Sequence, residues 1–75
     1  MHKDHWTEYF SWLNGAQVGE IIAARDQAYA LRRTLKDPDY RSDLRRMIRL
    51  MDEELVTRAD LAHLRKRRAS AHRAG

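Results

Sequence analysis

Four histidines are the first residues in this chain whose chemistry suggests a role: His2, His5, His63 and His72. His2 and His5 stand three apart around Asp4, and two neutral imidazoles with a carboxylate can begin a zinc or nickel site. The set stops there. A metal site needs a full ligand count and supporting hydrogen bonds, and His63 and His72 have no acid between them. No metal and no cofactor are expected. Asp52, Glu53 and Glu54 form an acidic run, but consecutive helical residues fan around a surface, whereas acid–base pairs converge across a cleft. Ser11, Ser42 and Ser70 have no evident His/Asp partner, and no glycine-rich phosphate loop is present. The absence of cysteine excludes a disulfide framework, a thiolate zinc finger and a cysteine nucleophile. The expectation is a protein that is not an enzyme.

The arginines are the stronger candidates. Arg65, Lys66, Arg67 and Arg68 continue a helical pattern beyond its last large apolar residue, so packing does not require them. Arg32, Arg33 and Lys36 lie before a turn signal, while Arg41, Arg45, Arg46 and Arg49 follow it, and the two sets can merge into one patch. Arginine grips phosphate bidentately, and each contact adds a salt-dependent increment of affinity. The plainer account is a solvated face, with cations complementing a helix C-terminus and their stems covering apolar surface. Asp37, Asp39 and Asp43 fall within the same stretch and should neutralise part of it. Arg41, Arg45, Arg49, Arg65, Lys66, Arg67 and Arg68 are the candidate nucleic-acid contacts. A helix-turn-helix across Thr57, with residues 58–68 as recognition helix, lacks the usual glycine-containing turn.

The run Trp6-Thr7-Glu8-Tyr9-Phe10-Ser11-Trp12-Leu13 surrounds most of a helix with large apolar groups. Trp and Tyr are favoured anchors at interfaces, although the same run could plug the end of a small core. With Trp6, Phe10 and Leu13 facing inward, Tyr9 and Trp12 are left to meet a partner. Ile22 also lies off the main stripe. Tyr9, Trp12 and Ile22 are the candidate protein-binding residues.

These residues must be carried by helices. Val18, Ile21, Ile22, Ile48 and Val56 never alternate with polar residues as in a half-buried strand, and good helix formers dominate. From an N-cap at Asp4, the positions Trp6, Phe10, Leu13, Gln17, Ile21, Ala24, Ala28, Leu31 and Leu35 recur at three or four. They fit one helix over 4–36, or a short aromatic helix 4–13 hinged onto 16–36. Asn14-Gly15 and the polar gap at Gln17 favour the hinge. Asp37-Pro38 then places a capping carboxylate before proline at the first helical position. Tyr40, Leu44, Met47, Ile48, Met51 and Leu55 form the next apolar stripe, with Arg41, Arg45 and Arg49 opposite. Thr57 and Asp60 have capping-box spacing, and Val56 with Leu61 that of a hydrophobic staple, which predicts a fresh helix there.

The chain has 75 residues and a formal charge of +4, with 15 Lys+Arg against 11 Asp+Glu. Residues 1–60 carry 10 of those bases and all 11 acids, so the excess lies in 61–75. A basic end on a near-neutral body is a handle for a polyanion or an acidic protein surface. Charged residues make up 35% of the chain, and no apolar run approaches the ~20 residues of a membrane span. The expectation is an all-α protein: a two- to three-helix antiparallel hairpin or bundle over 1–68, with 69–75 a flexible basic tail. Not every large apolar residue can be covered in so small a monomer. The favoured function is a cytoplasmic regulator or adaptor. It docks on a larger protein, such as transcription machinery, or on its own copy as a homodimer. Direct DNA or RNA binding is the alternative, and a structural subunit of an assembly the second alternative. No membrane partner is expected.

Overall fold

The computed structural model describes the backbone of residues 2–74 and the side chains of residues 2–68. It is all-α, with three helices in chain order: α1, Lys3–Gly15; α2, Val18–Thr34; and α3, Pro38–Ala74. No strand occurs among the described residues.

The aromatic segment forms its own helix. The break falls at Ala16 and Gln17, both extended, with ψ of 148° and 156°. Among the described residues no glycine has a positive φ, so Gly15 does not end α1 through a left-handed cap. Asp4 lies within the first turn rather than at the N-cap, which is His2; there its carboxylate meets the positive end of the helix dipole.

The second boundary follows the proline signal. Asp37 Oδ1 accepts from the Asp39 backbone N–H at 3.0 Å, and Pro38 opens α3 at a position whose N–H would be unpaired anyway. The fresh helix expected at Thr57 does not form. The Thr57 hydroxyl donates to Glu53 O at 2.9 Å, one turn back, and α3 runs on unbroken. That back-bonding takes the hydroxyl away from a capping role, and with no turn at Thr57 the helix-turn-helix reading falls. The α3 backbone passes position 69 without interruption; the side chains of the expected tail 69–75 lie outside the described residues.

The buried core comprises Tyr9, Leu13, Ala16, Ile21, Ala28, Leu44, Ile48 and Met51, flanked by Trp6, Ala24, Leu35, Met47, Leu50 and Leu55. Tyr9 and Phe10 exchange the places expected of them. Tyr9 is buried, while Phe10 is 42% exposed. The two-residue break frees α1 from the helical phase of α2. It turns inward the pair Tyr9 and Leu13, which share a face at a spacing of four. The Tyr9 hydroxyl then donates to Met47 O at 2.7 Å.

Arg58 of α3 ties down the α1–α2 connection. Its guanidinium donates to Leu13 O at 2.9 Å and to Ala16 O, with a longer 3.4 Å contact to Asn14 O. Its Nε donates to Glu54 at 3.0 Å. The last carbonyls of a helix have no partner within it, and here a side chain from another helix supplies one. Nearer the second turn, Arg25 of α2 bridges Asp52 of α3 at 2.7 Å.

The chain spans 58 × 25 × 16 Å with a radius of gyration of 16.3 Å, against about 11 Å for a compact domain of this length. The long axis is α3: 37 residues at ~1.5 Å each give about 55 Å. Every described side chain from Ala59 to Arg68 is exposed.

Candidate ligand and docking surfaces

Charge is sorted around the start of α3. Asp37, Asp39 and Asp43 line one recess together with His2, His5, Tyr40, Leu44 and Met47. A separate concavity of about 370 Å³ is lined by Tyr29, Arg32, Arg33 and Arg41, with no carboxylate among its walls. The expected merging of basic residues across the turn occurs at Arg32, Arg33 and Arg41, and the acids expected to neutralise them face elsewhere. The helical period explains the division. Asp39 and Asp43 are four apart on one side of α3, and Arg41, Arg45 and Arg49 keep the same spacing on the other.

The arginines differ in how far they are committed. Arg46 lies over the Trp6 ring, 4.5 Å from its centroid, in a cation–π contact. Arg49 is 3.9 Å from Glu53, a loose exposed pair of little energetic weight. Arg45 shares with Ser42, Arg46 and Arg49 a shallow depression on the outer side of α3. Among the described residues, Arg32, Arg33, Arg41 and Arg45 have no acidic partner, and neither do Arg65, Lys66, Arg67 and Arg68 on the projecting part of α3.

A third concavity, about 530 Å³, runs along α3 between Arg45, Ile48, Arg49, Asp52, Glu53, Val56 and Thr57. Ile48 and Val56 supply its aliphatic walls, with Arg45 and Arg49 toward one end and Asp52 and Glu53 midway. Val56 is 60% exposed there. Val18, Ile22 and Tyr29 of α2, also exposed, share the flank of that helix that carries Arg25, whose bridge to Asp52 crosses this side of the molecule. The Arg25 Nε is buried without a partner.

The three candidate protein-binding residues are dispersed. Ile22 is 39% exposed and Trp12 37%, on different helices. Tyr9 leaves the set: it is the centre of an aromatic cluster, with Trp6, Phe10 and Trp12 rings 5.8–6.0 Å away, and it offers a partner almost no surface. Burial pushes its phenol up to about 12. Sequence spacing gives no signal for Tyr29, because only the fold brings Arg41 alongside it.

The histidines do not assemble. His2 and His5 meet edge to face at 6.0 Å, His63 stands on the projecting part of α3, and the side chain of His72 lies outside the described residues. Among the described residues no group of three or more His, Cys, Asp or Glu is placed to hold a metal, and no helix is long and apolar enough to cross a membrane. No family model, curated protein or solved structure matches the chain.

Proposed function

We propose that this chain is a non-enzymatic docking module of the cytoplasm, an antiparallel α2–α3 hairpin braced by α1, that binds a larger protein and modulates it. The observation that carries this reading is the uncovered apolar surface. Ten large hydrophobic side chains are more than a third exposed among the described residues. The accessible surface is 6283 Å², against roughly 4,800 Å² for a compact monomer of this mass. Part of that excess is the projecting end of α3, where every described side chain from Ala59 to Arg68 is exposed. The side bearing Val18, Ile22, Tyr29 and Val56 supports the seating of an amphipathic helix, with an acidic group of the partner toward Arg45 and a basic one toward Glu53.

The test is photo-crosslinking from position 22 in cells, followed by purification of the captured protein and titration against the free chain. A 1:1 complex that weakens at least tenfold with Val56→Glu, at unchanged helicity, supports docking. A complex indifferent to Val56→Glu and Ile22→Glu refutes it.

A second reading, direct nucleic-acid binding, is supported by the acid-free arginine basin at the turn and the unpaired Arg65, Lys66, Arg67 and Arg68. It would suit a partner that itself handles nucleic acid.

A further inference from the structure

We infer that the basin of Tyr29, Arg32, Arg33 and Arg41 is a nucleotide site, in which the three guanidinium groups hold a phosphate and the Tyr29 ring receives the base. The inference shares only Tyr29 with the docking face, rests on the second reading and narrows it from a diffuse basic surface to four residues.

Three observations converge on it. The walls come from both sides of the second turn and frame an open concavity of about 370 Å³. None of the three arginines has an acidic partner among the described residues, although Asp37, Asp39 and Asp43 all lie within one helical turn of Arg41 in the sequence. Local helix energetics account for two of the three arginines and leave Arg41 unexplained. Arg32 and Arg33 occupy the last turn of α2, where the helix dipole favours cations. Arg41 sits one turn into α3, near the end that disfavours them, and so gains nothing from that field. Three uncompensated cations gathered at one point repel one another, and a bound anion removes that repulsion.

The class of anion follows from the fourth wall. Tyr29 is 40% exposed and lines the same concavity as the three arginines. An aromatic face beside a cationic track is the combination that binds single strands, with base stacking and phosphate contact acting together. Arginine suits the phosphate because its planar fork engages two oxygens at once. A free nucleotide and a nucleotide within a strand present the same two groups.

The full chain is titrated by fluorescence anisotropy against labelled dT12 over a range of salt. A dodecamer of abasic sites, thymidine monophosphate, inorganic phosphate and a phosphopeptide of matched charge serve as competitors. Replacing Arg32, Arg33 and Arg41 by Gln should flatten the slope of log affinity against log salt by about 0.7, the increment of the one single-strand phosphate they hold. Tyr29→Leu should cost dT12 about tenfold and leave the abasic strand unaffected. Competition by thymidine monophosphate well below inorganic phosphate supports a nucleotide unit, and the ratio of monophosphate to dT12 affinity identifies the source. An unchanged slope in the triple variant, equal losses for both strands with Tyr29→Leu, or tighter binding of the phosphopeptide overturns the assignment. Circular dichroism checks the fold of each variant; if the triple variant unfolds, Arg33→Gln alone should still lower dT12 affinity at low salt, and an unchanged affinity overturns the assignment. Replacing Arg65, Lys66, Arg67 and Arg68 by Gln separates the two ideas. Loss of strand binding there, with none in the basin variant, overturns the basin and leaves nucleic-acid binding standing; no strand binding by the unmodified chain removes both.

Discussion

Arg58→Met should destabilise the fold by about 3 kcal/mol. The guanidinium satisfies carbonyls of Leu13 and Ala16, both buried residues, at the end of α1. Leaving a buried polar group without its partner costs about 1–3 kcal/mol, and two such groups set the scale, reduced where water can reach them. Methionine keeps most of the apolar stem, so lost packing adds little. The Glu54 pair, at 22% and 29% side-chain exposure, contributes only about 0.3–0.5 kcal/mol as a spacing-of-four helix pair. A 75-residue chain has roughly 4–11 kcal/mol in total, so the loss is a large fraction, and Tm should fall by more than ~10 °C. Urea unfolding followed by circular dichroism measures it, with amide exchange across residues 3–15 as a local readout. Arg58→Lys should recover only part, because an ammonium cannot span two carbonyls at once. Glu54→Gln should cost under about 0.5 kcal/mol. If Arg58→Met and Glu54→Gln prove equal, Arg58 is an ordinary surface ion-pair residue and the account of how α1 is held is wrong.

Two further expectations follow from single groups. The Tyr9 phenol is raised to about 12 from 10.0 by burial, so between those values the unfolded chain loses its proton while the folded one keeps it. Stability should therefore fall as pH rises from 10 to 12, and Tyr9→Phe, at the cost of the Met47 hydrogen bond, should flatten that limb of a pH-dependent melt; an equally steep limb in the variant would assign it to other groups. Gly19 is the second residue of α2, with nothing within 4 Å of an added Cβ and no positive φ, so Gly19→Ala should raise stability by up to about 0.5 kcal/mol, the lower end of the helix-interior range, and a loss measured by urea titration would mean the site is tighter than it stands.

The all-helical class and the turn at Asp37-Pro38 were legible because they rest on local chemistry: propensity, a capping carboxylate and a proline that cannot continue the preceding helix but can open the next. Tyr9 against Phe10 was not. A stripe read at intervals of three and four assumes that helical phase is carried across residues 14–17, and two extended residues reset it. Thr57 shows a different ambiguity. A threonine followed three residues later by an acid can cap a new helix or bond back within an old one, and nothing local decides. Arg58 was invisible as a structural residue, since its partners are carbonyls 42 and 45 positions away, which no pattern of side chains records. The sorting of Asp39 and Asp43 from Arg41 and Arg45 was available from the helical period alone. The meeting of Arg41 with Tyr29, Arg32 and Arg33 needed the fold.

The unbroken course of α3 turns length into rotational phase. Lys66 is 25 residues beyond Arg41, about 37 Å along the axis and within roughly 20° of the same azimuth at ~100° per residue. A flexible connection would let the two cationic ends search independently; a continuous helix fixes both the distance and the angle between them. One residue inserted near Ala59 would swing Lys66 by about 100° while moving it only ~1.5 Å, and a seven-residue insertion would restore the angle to within about 20°. Any surface that engages both ends must therefore respond periodically, not monotonically, to the number of residues between them.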